Sequence, residues 1–249
     1  MTLASPLSGW TWLKLLGLTI IATLVFEHSQ FDIRLSELFY VHGQLLLQKD
    51  AQPYAFIFYD APKALLILLA IYLMAVLIIK YRQRSNPLFI ANNKFIMALS
   101  IREISYLLIM LIVVPTSIAL LKGVTHVSCP NHLTLFGGNL PYLNLWQNVL
   151  ANTPAKCFPA AHASAGFSLY GLAVLPSLHK YRYKIFKIVT VLGWTMGVYK
   201  MSFGDHFFSH TLVSMLLSLT ITYALASYVF KSSTYNKAQN IKGNLRVNR

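Results

Sequence analysis

Three short segments hold side chains whose types and spacing suit chemistry on an anion. They are Lys122-Gly-Val-Thr-His-Val-Ser-Cys-Pro130, Cys157-Phe-Pro-Ala-Ala-His-Ala-Ser164 and Tyr199-Lys-Met-Ser-Phe-Gly-Asp-His-Phe-Phe-Ser-His210. Each brings a lysine or a histidine to the end of an apolar run. In the second, Pro159 and the small residues Ala160 and Ala161 lead into His162. That pattern reads as a helix start whose free N–H groups an anion can approach closely. In the third, His206 and His210 stand four apart and would share a helix face. One reading of that pair is a metal site. The other is a nucleophilic histidine with an orienting neighbour. Lys122 and Lys200 are cations able to clamp charge, although an ammonium lacks the planar fork of a guanidinium.

The elements that must position these residues follow from composition. Hydrophobic residues make up 56% of the 249 and charged residues only 11%, with a mean hydropathy of +0.55. Disordered chains are poor in apolar residues, and soluble domains carry about 25% charged residues. Both classes are excluded, which leaves an integral membrane protein. A span needs about 20 apolar residues, somewhat fewer at the short end. Six runs qualify or come near: Trp10–Phe26, Ala64–Ile79, Ile104–Leu121, Ala163–Leu178, Ile185–Val198 and Leu212–Phe230. None alternates as a barrel strand does. The expected class is all-α, a polytopic helical bundle of about six spans. One transmembrane domain covers residues 1–231, with the chemistry in 104–230. A basic tail, residues 232–249, is expected to be disordered. Lys14 before a long apolar core, without a clear cleavage site, reads as an uncleaved signal-anchor.

Lys and Arg number 21 against 7 Asp and Glu, a net charge of +14. In a soluble chain that would suggest nucleic acid. Here the excess is spread over loops. Lys80, Arg82, Arg84, Lys94 and Arg102 follow the second run, and Lys180, Arg182 and Lys184 follow the fourth. Lys231, Lys237, Lys242, Arg246 and Arg249 close the chain. Glu27, Asp32, Glu37, Asp50 and Asp60 gather between the first two runs. The positive-inside rule puts the basic loops and both termini in the cytoplasm and the acidic segment outside. No nucleic-acid partner is expected. His126, His132, His162, His206 and His210 then share the outer side with Lys122 and Lys200, two cations that break the topological trend. The segment Phe31–Leu46 has apolar residues at near-helical spacing. It reads as an interfacial amphipathic helix or as an ordinary loop.

Cys129 and Cys157 are the only cysteines, and both lie in one outer loop. In an oxidising compartment such a pair is expected to be bridged, the alternative being two reduced thiols. The bridge closes a loop of about 28 residues, worth roughly 3–4 kcal/mol by chain entropy. No CxxC pair points to zinc.

At these residues the chain resembles the type 2 phosphatidic acid phosphatase family, membrane lipid phosphatases related in fold to vanadium haloperoxidases. The family's motifs are Lys-x6-Arg-Pro, Pro-Ser-Gly-His and Ser-Arg-x5-His-x3-Asp. Here they read Lys122-x6-Cys129-Pro130, Pro159-Ala160-Ala161-His162 and Tyr199-Lys200-x5-His206-x3-His210. All three spacings agree. Cys129, Ala160, Ala161, Tyr199, Lys200 and His210 replace the family's residues. The resemblance covers about half the chain, from the third run to the sixth.

The resemblance implies an enzyme that hydrolyses a lipid phosphomonoester or pyrophosphate without metal or cofactor. His206 is carried over as the nucleophile and His162 as the general acid, with His210 holding the His206 ring where the family has Asp. Lys122, Lys200 and the backbone N–H groups of Ala160 and Ala161 would bind phosphate. Asp205 reads as a solvated residue. The expected partners are a membrane lipid phosphate and the bilayer, and the expected setting is a bacterial inner membrane with the site facing the periplasm. Undecaprenyl pyrophosphate, phosphatidylglycerophosphate, phosphatidic acid and lipid A phosphates all suit a cationic outer pocket. Two other readings stay open: phosphotransfer from an isoprenoid pyrophosphate to an acceptor such as lipid A, and a degenerate binder or transporter of lipid phosphates.

Overall fold

A computed structural model describes residues 10–85 and 98–247, with side chains described as far as Phe230. Lys94 and the basic side chains of the tail lie outside this description. The fold is all-α apart from one small hairpin. Helix α1 is Thr11–Glu27, and α2 is Phe31–Glu37. The hairpin pairs β1, Tyr40–Val41, with β2, Gln44–Leu45, antiparallel. Its turn uses His42 and Gly43 at φ 52° and 78°, the left-handed pair that a two-residue hairpin demands. The interfacial helix expected over Phe31–Leu46 is therefore two turns of helix followed by a hairpin. A π-helical segment, Phe56–Asp60, runs directly into α3, Ala61–Ser85.

Helix α4, Ile101–Thr125, opens with a capping box between Ser100 and Glu103. It ends at His126, whose φ of 52° turns the chain out of the helix. The loop after α4 holds two 3-10 turns, Pro130–His132 and Thr134–Phe136, and then α5, Leu145–Ala151. Next come α6, Ala161–Phe167, and α7, Tyr170–Ala173, with a 3-10 segment Pro176–Tyr181. Helix α8 is Arg182–Ser202, and α9 is Phe208–Val247. The basic segment expected as a disordered tail thus continues α9. No proline interrupts it, and a helix already nucleated adds one bond per residue.

Among the described residues, three helical stretches are long and apolar enough to cross a membrane: Phe56–Ser85, Ile101–His132 and Phe208–Phe230. Helices α1 and α2, bent by 71° at their junction, make a fourth if taken as one broken span. The six expected spans differ from this count for local reasons. The run Ala163–Leu178 is not one helix. Ser164 and Ser168 turn their hydroxyls back onto the carbonyls of Ala161 and Ala165 at 2.6 Å, an interaction that weakens and bends a helix. Pro176 then opens the 3-10 segment. Helix α8 is 21 residues long but carries Arg182, Lys184, Lys187 and Lys200.

The largest buried cluster joins α3, α4 and α9 through Leu73, Val76, Ile104, Met110, Val114 and Phe230. The Tyr106 hydroxyl donates to the Thr222 carbonyl at 2.9 Å and so ties α4 to α9. Helices α6 and α8 meet where Gly193 faces the Phe167 ring, and a Cβ there would lie 2.2 Å from the ring. Small residues permit this backbone approach in membrane bundles. At the end of α4 away from Lys122, the buried Glu103 carboxylate accepts four hydrogen bonds at 2.8 Å. They come from the N–H and hydroxyl of Ser100 and of Ser177.

Candidate active site

The three sequence segments converge at one end of the bundle. Helix α4 delivers Lys122 in its last turn. Beyond it the loop after α4 folds back against the start of α6. Cys129 and Cys157 are disulfide-bonded, with Cα atoms 5.2 Å apart. The Cys157 N–H donates to the Val127 carbonyl at 2.9 Å, and the Thr125 hydroxyl donates to the Phe158 carbonyl. The bridge holds the first and second motifs side by side. His126 does not join the group, since its Nδ1 pairs with the Thr153 carbonyl at 2.7 Å. His132 is exposed.

His206 sits between α8 and α9. Gly204, at φ +73°, makes the turn that delivers it, and a Cβ there would press on Asn131 at 3.0 Å. Asn131 is part of the same turn. Its N–H donates to the Gly204 carbonyl at 3.0 Å, and its amide donates to the Asp205 carboxylate at 3.3 Å. His206 is buried, and its Nδ1 lies 2.8 Å from the Cys157 carbonyl. A carbonyl can only accept, so Nδ1 carries the hydrogen and Nε2 keeps its lone pair. Burial pushes the His206 ring down to about 3, and the nearby Lys122 and Lys200 charges act in the same direction. At neutral pH the ring is an uncharged base.

His162 opens α6, whose first turn has no side-chain cap from Ala160. Its Nε2 donates to the Phe58 carbonyl at a long 3.4 Å, and its ring stacks on Tyr59 with centroids 4.3 Å apart. Burial lowers its pKa to about 4, with Lys200 and Lys63 adding and the Phe58 bond opposing. Lys200 lies 4.8 Å above the Tyr59 ring and 4.9 Å above the Phe203 ring. The Lys122 and Lys200 charges reach the His206 ring, as would that of a protonated His162.

Three expectations need correction. His210 does not hold the His206 ring, because the Cys157 carbonyl occupies that Nδ1. The two rings pack edge to face with centroids 5.7 Å apart, and His210 is sandwiched between Phe158 and Phe207 at 5.2 Å each. Its own Nδ1 is buried without a hydrogen-bond partner. The Ala160 N–H is not free for phosphate, because it donates to the His210 carbonyl at 3.1 Å and joins α6 to α9. Asp205 is not a solvated residue. It forms an ion pair with Lys200 at 2.9 Å, with the two side chains only 14% and 22% exposed.

Sequence reasoning missed Phe58, Tyr59, Asn131 and the Cys157 carbonyl. Asn131 alone had a cue, standing directly after the first motif. Among the described residues, no group of three or more His, Cys, Asp or Glu side chains could hold a metal ion.

Taken together, the site offers a neutral imidazole with a free Nε2, a second imidazole within electrostatic reach, and two ammonium groups from the last turns of α4 and α8. This is equipment for transfer of an anionic group. No curated protein and no solved structure matches the chain. Residues 103–234, just over half of it, match the PAP2 superfamily and contain all three motifs. The chain belongs to the PAP2 superfamily, whose members are generally phosphatases acting on phosphoesters.

Proposed function

We propose that the protein is a membrane lipid phosphatase that hydrolyses a phosphomonoester or pyrophosphate through a phosphohistidine. The observation that carries this reading is the His206 ring. Its Nδ1–H is bound to a carbonyl, its Nε2 lone pair is left for chemistry, and Lys122, Lys200 and His162 lie within electrostatic reach of it. His206 Nε2 attacks phosphorus; the N–P bond forms as the P–O bond to the leaving group breaks. The leaving oxygen takes a proton from His162, which receives it from a monoanionic substrate phosphate. Water then attacks the phosphohistidine, His162 takes the water's proton, and cleavage of the N–P bond frees phosphate and His206. Lys122, Lys200 and the first-turn N–H of Ala161 stabilise the charge on the equatorial oxygens.

The lipid reading rests on the helices able to span a bilayer and on an apolar groove beside the site. That groove has a volume of about 540 Å³ and is lined by Phe39, Leu46, Tyr54, Phe58, Trp194 and Tyr199, among others. Tyr59, the stacking partner of His162, directly follows Phe58. An acyl or isoprenoid chain in this groove would bring its phosphate to Lys200. In the accompanying topology the chain crosses a bacterial inner membrane six times, both termini are cytoplasmic, and the site faces the periplasm.

One observation favours a second reading, a lipid-phosphate binder without turnover. Lys200 and the Ala160 N–H both have intramolecular partners, and Ala160 lacks the family's serine hydroxyl. Phosphate release from a panel of lipid phosphates decides between them. The phosphatase releases phosphate from at least one of these lipids and loses that activity in His206→Ala. A protein that binds the lipids but releases nothing is the binder.

A further inference from the structure

The ion pair inside the site has a function of its own. We propose that Asp205 is an affinity-setting residue: its carboxylate competes with the substrate's phosphoryl oxygens for Lys200, so the site holds free phosphate weakly and depends on the lipid for binding. This inference rests on the phosphate-site reading above and adds how that site is regulated.

The geometry is specific. Gly204 reverses the chain after α8, and the Asp205 N–H donates to the Lys200 carbonyl at 2.9 Å. The turn thereby folds the carboxylate back onto the Lys200 ammonium, with 2.9 Å between Oδ2 and Nζ. Oδ1 is held by Asn131 at 3.3 Å. The ammonium is confined from the other side by the faces of Tyr59 and Phe203. A phosphoryl oxygen at Lys200 must therefore share or displace Asp205. At Lys122 Asp205 acts only at longer range, since the Lys200–Asp205 pair is the one salt bridge among the described residues.

The charge count points the same way. The groups that act on one another here are Lys122 from α4, His162 from α6, Lys200 from α8 and Lys63 from α3. With both histidines neutral, Asp205 cancels one of the two phosphate-facing cations. Asp205 thus removes one positive charge from those a bound dianion meets, and more of its affinity must come from apolar contacts. A lipid supplies them and inorganic phosphate does not. Hydrolysis releases a phosphate no longer attached to a lipid, so the same device speeds loss of that product.

The test is binding of inorganic phosphate to the full-length protein in detergent, for wild type, Asp205→Asn, Lys200→Gln and the double variant. Asp205→Asn is expected to tighten phosphate binding about fivefold, the scale of one partly screened ion pair. The KM for lipid phosphate falls with it. Lys200→Gln weakens binding, and adding Asp205→Asn to Lys200→Gln changes it less than twofold. Asp205→Ser, a second variant, tightens binding in the same way if Asn proves poorly tolerated. Unchanged or weaker binding in both Asp205 variants overturns the proposal, as does equal tightening with and without Lys200. Turnover of lipid phosphate by the wild-type preparation separates the two failures. If wild type binds and releases phosphate but Asp205→Asn does not tighten binding, only the competition is wrong. If wild type does neither, the phosphate-site reading fails and the competition with it.

Discussion

The hydrogen bond from His206 Nδ1 to the Cys157 carbonyl selects one tautomer and leaves one nitrogen for chemistry. A backbone carbonyl does here what a side chain at position 210 was expected to do. No sequence motif could reveal this, because every residue carries a carbonyl and only the fold chooses which one is used. His162 and His206 themselves were legible, since the spacing of the three motifs survives although several of their residues have changed. At neutral pH both rings are uncharged in the empty site, with values lowered by burial to about 4 and about 3. The first chemical step needs neutral His206 and one proton to donate. That proton sits on His162 below pH 4 or arrives with a monoanionic phosphate, whose second pKa is about 6. The kcat/KM for a monoester should therefore be level between about pH 4 and 6 and fall tenfold per unit above that. His162→Asn should lower the rate by about 10²–10⁴. A wild-type profile that rises steadily to pH 9 would contradict these roles.

At the scale of elements, the site depends on how its segments are pinned. The disulfide and the Thr125 bond hold the loop after α4 to the end of that helix, and Asn131 buttresses the turn at Gly204. At the other end of α4, Glu103 caps its own helix and also receives Ser177 from the segment after α7. Glu103→Ala leaves four donors without their partner, two of them backbone N–H groups. Ser100 and Ser177 are exposed, so water can take over their donors, and the loss of stability should be about 1 kcal/mol, the scale of a lost helix cap. Thermal unfolding in detergent measures it, and an unchanged midpoint would show that Glu103 is not a lock. The cap was readable in Ser100 and Glu103, but the link to Ser177 was not, because it joins residues far apart in sequence. The breaks in the run Ala163–Leu178 were hidden for a related reason. Apolar composition reports burial in lipid or protein, and this run is interrupted by serine back-bonds and by Pro176. The hairpin over residues 40–45 was hidden because its strands are two residues each and their pairing shows no periodicity.

For the whole molecule, the proposed topology accounts for most of the +14 net charge, and the cations given a chemical role in the proposed function are the few placed against that trend, Lys122 and Lys200. The long apolar helices were the most legible feature, since composition alone requires them. Labelling of single introduced cysteines in intact cells, in a background with Cys129 and Cys157 replaced, tests the arrangement. Membrane-impermeant reagent should reach a cysteine placed at residue 132 but not one placed at 180. The reverse pattern would invert the protein and put the site in the cytoplasm. The central claim is that His206 becomes covalently phosphorylated during turnover. Rapid quenching of wild-type protein mixed with a ³²P-labelled lipid phosphate, kept at alkaline pH because phosphohistidine is acid-labile, tests it most directly. The account predicts label on the peptide containing His206, absent in His206→Ala and accumulating in His162→Asn if water activation is slowed. Steady release of phosphate by wild type with no labelled His206, or undiminished release by His206→Ala, would contradict it.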